Sequence, residues 1–185
     1  MSRKLLLLDL DETLVHARDT PLEREEDFRV GEYFVYRRPH VDTFIAGVLA
    51  RFDVAVWTSS GEHYAAQVIE RIFPAGALKF VWSSRKCTMT RDWDTGEISN
   101  KKDLAKLKRQ GYPLESVIAV DDTPSKYSRS YGNLVTVTEF LGDTADDELP
   151  LLLRYLETLI PVGNVRTVVK RRWRTHAPKP DSSER

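Results

Sequence analysis

The sequence predicts an α/β fold in which a parallel sheet is flanked by helices. Three short runs carry that prediction: Leu5–Leu8, Asp53–Trp57 and Val117–Val120 are apolar on almost every residue, and each runs straight into a polar turn. Strands apolar on successive residues are buried on both faces, which is the situation of parallel strands covered by helices. The stretches between and after them keep helical spacing, with Val41, Phe44, Ile45, Val48 and Leu49 as one stripe. Ala65, Val68, Ile69, Ile72 and Phe73 make a second, and Leu149, Leu152, Leu153, Leu156 and Ile160 a third. Residues three and four apart share a helix face, so each stripe is a core-facing one.

Taken in order, the first strand delivers Asp9 and Asp11, one residue apart, into a polar turn that carries Thr13. The charged stretch from Ala17 to Glu32 ends in the apolar Tyr33–Tyr36 and reads as a flap hairpin beside those acids. The strand Asp53–Trp57 runs into Thr58-Ser59-Ser60-Gly61 and then a helix. Hydroxyls and amides at a helix N-terminus form an anion cradle, although Thr58 also suits an ordinary N-cap. From Lys86 to Asn100 the polarity alternates around Asp94-Thr95-Gly96, a small hairpin insert too short to be a large cap domain. Asn100-Lys101-Lys102-Asp103-Leu104 then reads as the opening of another helix, whose lysines taken alone suit a solvated face. Trp57, Trp82 and Trp93 read as core or hairpin packing. A last helix is expected after Asn164, with Lys170-Arg171-Arg172-Trp173-Arg174 as its frayed end or, alternatively, a site for an acidic partner. The expected organisation is one domain over residues 1–176 and a disordered tail over 177–185.

The strand after Ser116 ends in a second acid pair, Asp121-Asp122, followed by Thr123-Pro124. Ligands of open α/β sheets bind at the carboxyl ends of the strands, so both pairs stand at one chemically favoured edge. Several carboxylates gathered there repel one another unless a cation sits among them. An oxygen-only set with no nearby His or Cys favours a hard ion, and Mg²⁺ above all where phosphate and water complete the coordination.

Composition narrows the partners. The formal net charge is zero, so long-range attraction to nucleic acid or a membrane is not built in. The single cysteine, Cys87, allows no internal disulfide and suits a reducing compartment. No signal peptide is expected, because Asp9 interrupts the leucine run, and no segment approaches membrane-spanning length. The expectation is a cytoplasmic protein, or a nuclear one in a eukaryote, acting as a monomer or weak oligomer.

The order D-L-D-E-T-L-V-H, Y-R-R-P-H-V-D-T-F, V-W-T-S-S, K-K-D-L and V-D-D-T-P resembles the haloacid dehalogenase (HAD) superfamily of aspartate-nucleophile phosphatases. Within it the chain looks most like the small C-terminal-domain phosphatase, NLI-interacting factor-like branch, which acts on phosphoserine in proteins. The motifs extend from Lys4 to about Lys126, and the likeness continues to about Val169. This resemblance implies a Rossmann-like sheet, an aspartyl-phosphate intermediate and a Mg²⁺ cofactor. Asp9 would be the nucleophile and Asp11 the general acid and base, with Asp9, the Asp11 main-chain carbonyl and Asp121 holding the metal. Asp122 would act through a metal-bound water or support the site, and Thr58, Ser59 and Lys102 would bind the phosphoryl oxygens. Lys102 is preferred to Lys101 because the pattern sets its lysine directly before Asp-Leu. Arg38 matches an arginine that orients the site or substrate, and a structural, salt-bridged arginine is its other reading. The branch often has Asp-Asn-Ser-Pro where this chain has Asp-Asp-Thr-Pro.

A site without a large lid admits a loop of another protein, which favours a phosphoprotein substrate over a small metabolite or nucleotide. A non-catalytic phospho-binding module is the remaining alternative, and no core group of the motifs is missing.

Overall fold

A computed structural model describes residues 3–178 of the 185, apart from 92, 94, 95 and 97. In chain order the strands and helices are β1 (Leu5–Leu8), β2 (Val15–Arg18), β3 (Phe28–Val30), β4 (Tyr33–Arg37), α1 (Val41–Arg51), β5 (Asp53–Trp57) and α2 (Glu62–Ile72). There follow β6 (Val81–Trp82), β7 (Thr88–Arg91), β8 (Ile98–Lys101), α3 (Ala105–Lys108), β9 (Val117–Asp121), β10 (Leu134–Thr136), α4 (Glu148–Thr158) and α5 (Trp173–His176).

The centre is a five-stranded sheet in the order β10-β9-β1-β5-β6, parallel throughout. All four leucines of β1 are buried because both faces are covered. Leu6, Leu8, Val54, Val56, Ile118 and Val120 face the cluster built with α1, α2 and α4. Their alternate neighbours Leu5, Leu7, Ala55, Trp57, Val117 and Ala119 face Leu104, Leu107 and Tyr127 on the other side. A period of two split between two apolar layers is what makes the sequence read as an unbroken run. Trp57 and Trp82 pack edge to face in the second layer, with ring centroids 4.8 Å apart.

Four expectations need correction. The flap is a three-stranded antiparallel sheet, β2-β4-β3, because Phe28–Val30 inside the charged stretch also pairs with β4. The segment at Asn100–Lys101 is the end of β8, paired with β7, and the helix behind it starts only at Ala105. Trp93 is 89% exposed and packs in no core. The chain after Asn164 forms a 3-10 turn at Val165–Thr167 and then the four-residue α5, which docks tightly. Trp173 is buried and its Nε1 donates to Thr136 O at 2.7 Å, while Arg174 reaches the Glu148 carboxylate. The turn residues Asp94 and Thr95, and residues 179–185 of the expected tail, lie outside the described residues. Among the described residues no helix is long and apolar enough to cross a membrane.

Candidate active site

Sheet register assembles the site. Leu8 is level with Val56 of β5 and with Val120 of β9, and the Asp9 amide continues the ladder to Val120 O at 3.0 Å. Asp9 therefore stands beside Asp121, with Thr58 one residue beyond the end of β5. All three side chains are buried at the carboxyl edge of the sheet, where α/β folds bind ligands.

Beyond Asp9 the chain turns at once. The amides of Thr13, Leu14 and Val15 all donate to Leu10 O, and Glu12 takes a left-handed φ of 58°. That turn sends Asp11 away from the other acids and toward the loop after β5. Its Oδ1 accepts from Tyr64 Oη at 2.6 Å and its Oδ2 from Ser60 Oγ at 2.5 Å, with Thr58 Oγ1 at 3.5 Å. Burial raises the Asp11 carboxyl above its ordinary value, while the two hydroxyls pull it back. Burial also pushes Glu12 up to about 8, reinforced by the charges of Asp11 and Glu139, and its carboxylate lies 2.7 Å from His16 Nδ1.

Asp9, Asp121 and Asp122 can each offer a carboxylate oxygen within 4.8 Å of the others. Two ammonium groups lean on this cluster. Lys102 Nζ lies 2.9 Å from Asp9 Oδ2 and 2.5 Å from Asp121 Oδ2; Lys126 Nζ lies 2.9 Å from Asp9 Oδ2 and 3.4 Å from Asp121 Oδ1. Burial works to raise the Asp9 carboxyl, but the two lysines outweigh it and hold it below its ordinary value. Asp121 moves the opposite way, raised by burial and by the negative charge of Asp9 beside it. The outcome is an ionised Asp9, the protonation state a nucleophilic carboxylate needs.

The expected residues thus divide. Asp9, Asp121, Asp122 and Lys102 meet in one cluster, and Asp11 and Thr58 adjoin it. Ser59 turns aside, its Oγ 4.0 Å from Cys87 Sγ. Arg38 does not face the acids: fully buried, it clamps both Asp146 oxygens at 2.8 and 2.7 Å and donates to Thr13 O at 3.0 Å. Its hold on Thr13 braces the turn behind Asp9. Sequence reasoning passed over Lys126 and Tyr64, and placed Ser60 in an anion cradle without seeing that it holds Asp11. The one available signal was position, because each lies within six residues of Thr58 or Asp121.

With this geometry in hand, comparison with known proteins is decisive. Residues 4–166 match the NLI interacting factor-like phosphatase family. The chain belongs to that family. A probable C-terminal domain small phosphatase of Dictyostelium discoideum is 31% identical over 90% of this chain and 54% of the relative. CTD nuclear envelope phosphatase 1B of Danio rerio is 31% identical over 95% of this chain and 75% of the relative. The chain thus spans about half the length of the first and three quarters of the second. The fission yeast RNA polymerase II CTD phosphatase Fcp1, bound to beryllium fluoride, superposes with a TM-score of 0.56 at 21% identity. That match covers 79% of this chain and 44% of Fcp1 and shows the shared fold. The acids and lysines described above gather at the edge formed by β1, β5 and β9.

Proposed function

We propose that this NLI interacting factor-like phosphatase hydrolyses phosphoserine and phosphothreonine monoesters in proteins through an aspartyl-phosphate intermediate. The observation that carries the reading is the buried Asp9, ionised between two lysines, with Asp11 held separately by Tyr64 and Ser60. The two acids sit in different surroundings, and a two-step displacement needs that division of labour. Asp9 attacks phosphorus and carries the phosphoryl group. Asp11 gives a proton to the departing serine oxygen and takes one from the water that attacks next. Lys102, anchored between Asp9 and Asp121, and the Thr58 hydroxyl stabilise the charge that builds on the phosphoryl oxygens.

With all three carboxylates ionised, two lysines leave the cluster one charge negative, and its donors are all oxygen. Such a set fits a hard divalent cation, and Mg²⁺ in particular. Asp9, Asp121 and Asp122 would hold it, with the Asp11 main-chain carbonyl as the family resemblance implies. When bound it supplies positive charge to the transferring phosphoryl group. Among the described residues the inserts at this edge are the flap and the short β7–β8 hairpin, with no bulky cap, which supports a protein substrate over a metabolite.

The test compares catalytic efficiency on phosphopeptides with that on sugar and nucleotide phosphates, with and without a chelator. Preference for phosphoserine peptides, loss on chelation and recovery with Mg²⁺ are expected. Preference for a metabolite would transfer the reading to the small-molecule class. Full activity after exhaustive chelation would remove the metal from it.

A further inference from the structure

The site holds one cation more than its motifs explain. Lys102 stands at the motif lysine, whereas Lys126 lies five residues beyond Asp121 and belongs to none of the motif positions. Its placement is nevertheless fixed by the backbone. Residues Pro124–Tyr127 form a 3-10 turn immediately behind β9, and the Lys126 carbonyl accepts from the Lys102 amide at 2.8 Å. The two lysines are thereby tied together and aimed at the same pair of acids. Lys126 Nζ bridges Asp9 Oδ2 and Asp121 Oδ1, so it leans on two of the three carboxylates that fit a cation. The two differ in one respect: the Lys102 side chain has no exposure, while that of Lys126 keeps 18%. Of the two, Lys126 alone has a way out to solvent.

A divalent ion at Asp9 and Asp121 would be repelled by both ammonium groups, the more so in less polar surroundings; wholly buried Lys102 has no room to withdraw, whereas the partly exposed Lys126 does. We propose that Lys126 is a built-in counter-ion of the metal site. It bridges Asp9 and Asp121 until a divalent cation binds, then swings outward along its exposed side. Two consequences follow from charge alone: Lys126 weakens cation binding, and it holds the acids together before the ion arrives. The inference rests on the Mg²⁺ reading above.

The test is calorimetric titration of Mg²⁺ into chelator-stripped protein, comparing the parent with Lys126→Met and Lys126→Arg and needing no substrate. Thermal unfolding is followed with and without Mg²⁺. Lys126→Met should bind Mg²⁺ at least about tenfold more tightly, since a full positive charge has left the site. It should melt below the parent when stripped and gain more on adding Mg²⁺, while Lys126→Arg should bind no more tightly than the parent. A Met variant that folds only when Mg²⁺ is present would equally support the counter-ion role. Equal or weaker Mg²⁺ binding by Lys126→Met would overturn that role and leave the Mg²⁺ reading intact. No Mg²⁺ binding by either protein would overturn both.

Discussion

Two carboxylates two residues apart face different partners in this molecule. Asp9 lies among lysines and acids, and Asp11 among hydroxyls, because the turn after Leu10 reverses the chain between them. Their substitutions should therefore fail differently. As general acid, Asp11 matters most for a poor leaving group such as a serine alkoxide and least for nitrophenolate; as general base it is needed in the second step for either. Asp11→Asn should nearly abolish dephosphorylation of phosphoserine. With a nitrophenyl ester it should release one burst of product close to one per site and then stall. Rapid-quench measurement of burst amplitude reads this directly, and equal loss on both esters with no burst would reduce Asp11 to a structural acid. Of these residues, Asp9, Asp11 and Asp121 stood out in the sequence as acids following apolar strands, and Lys102 only through the family resemblance. Tyr64 and Ser60 did not, since a hydroxyl in a helix start or a loop reads as capping until the partner across the cleft is known.

Among the elements, the ion pair of fully buried Arg38 with partly buried Asp146 joins the strand leading into α1 to the loop before α4, and a third bond of Arg38 reaches Thr13 O. Breaking a buried ion pair by removing one partner costs about 3 kcal/mol or more. Arg38→Met should lower stability in urea by that order. Loss of phosphate binding with stability unchanged would instead return Arg38 to the substrate. The C-terminal segment makes a second prediction. Trp173 fills the core beside Tyr155 at a ring-centroid distance of 5.5 Å, and its Nε1 satisfies the Thr136 carbonyl on the outer strand β10. Trp173→Ala should cost about 3–5 kcal/mol by the same assay. A loss below about 1 kcal/mol would mean the segment merely rests on the surface. The sequence misled here for a physical reason. Four basic residues surrounding one tryptophan look solvated, but Lys170 donates to the carbonyls of Gly132, Val165 and Val168 and so can be buried. Backbone acceptors supplied by distant turns leave no trace in a local charge pattern.

At the scale of the whole molecule, the three central strands β1, β5 and β9 were legible because burial on both faces makes them apolar at nearly every position and the acids after them stand out by contrast, whereas the short outer strands β6 and β10 were not. β3 and the β8 end were harder to read. Phe28–Val30 is three residues inside a charged stretch, and its pairing with β4 depends on the flap as a unit. Lys126 escaped for a related reason: nothing local distinguishes an ammonium aimed at Asp9 from one in solvent. What the assembled architecture achieves is to put one buried carboxylate, flanked by ammonium groups, at the carboxyl edge of a parallel sheet. The central claim is that this carboxylate becomes covalently phosphorylated. The most direct test is intact-mass analysis of acid-quenched protein during turnover of a nitrophenyl phosphate by Asp11→Asn, followed by peptide mapping. The account predicts one added phosphoryl group per chain, on the peptide containing Asp9, sensitive to hydroxylamine and missing from Asp9→Asn. A chain that turns over substrate without any trapped phosphoryl group, or that carries it on another residue, would contradict the account.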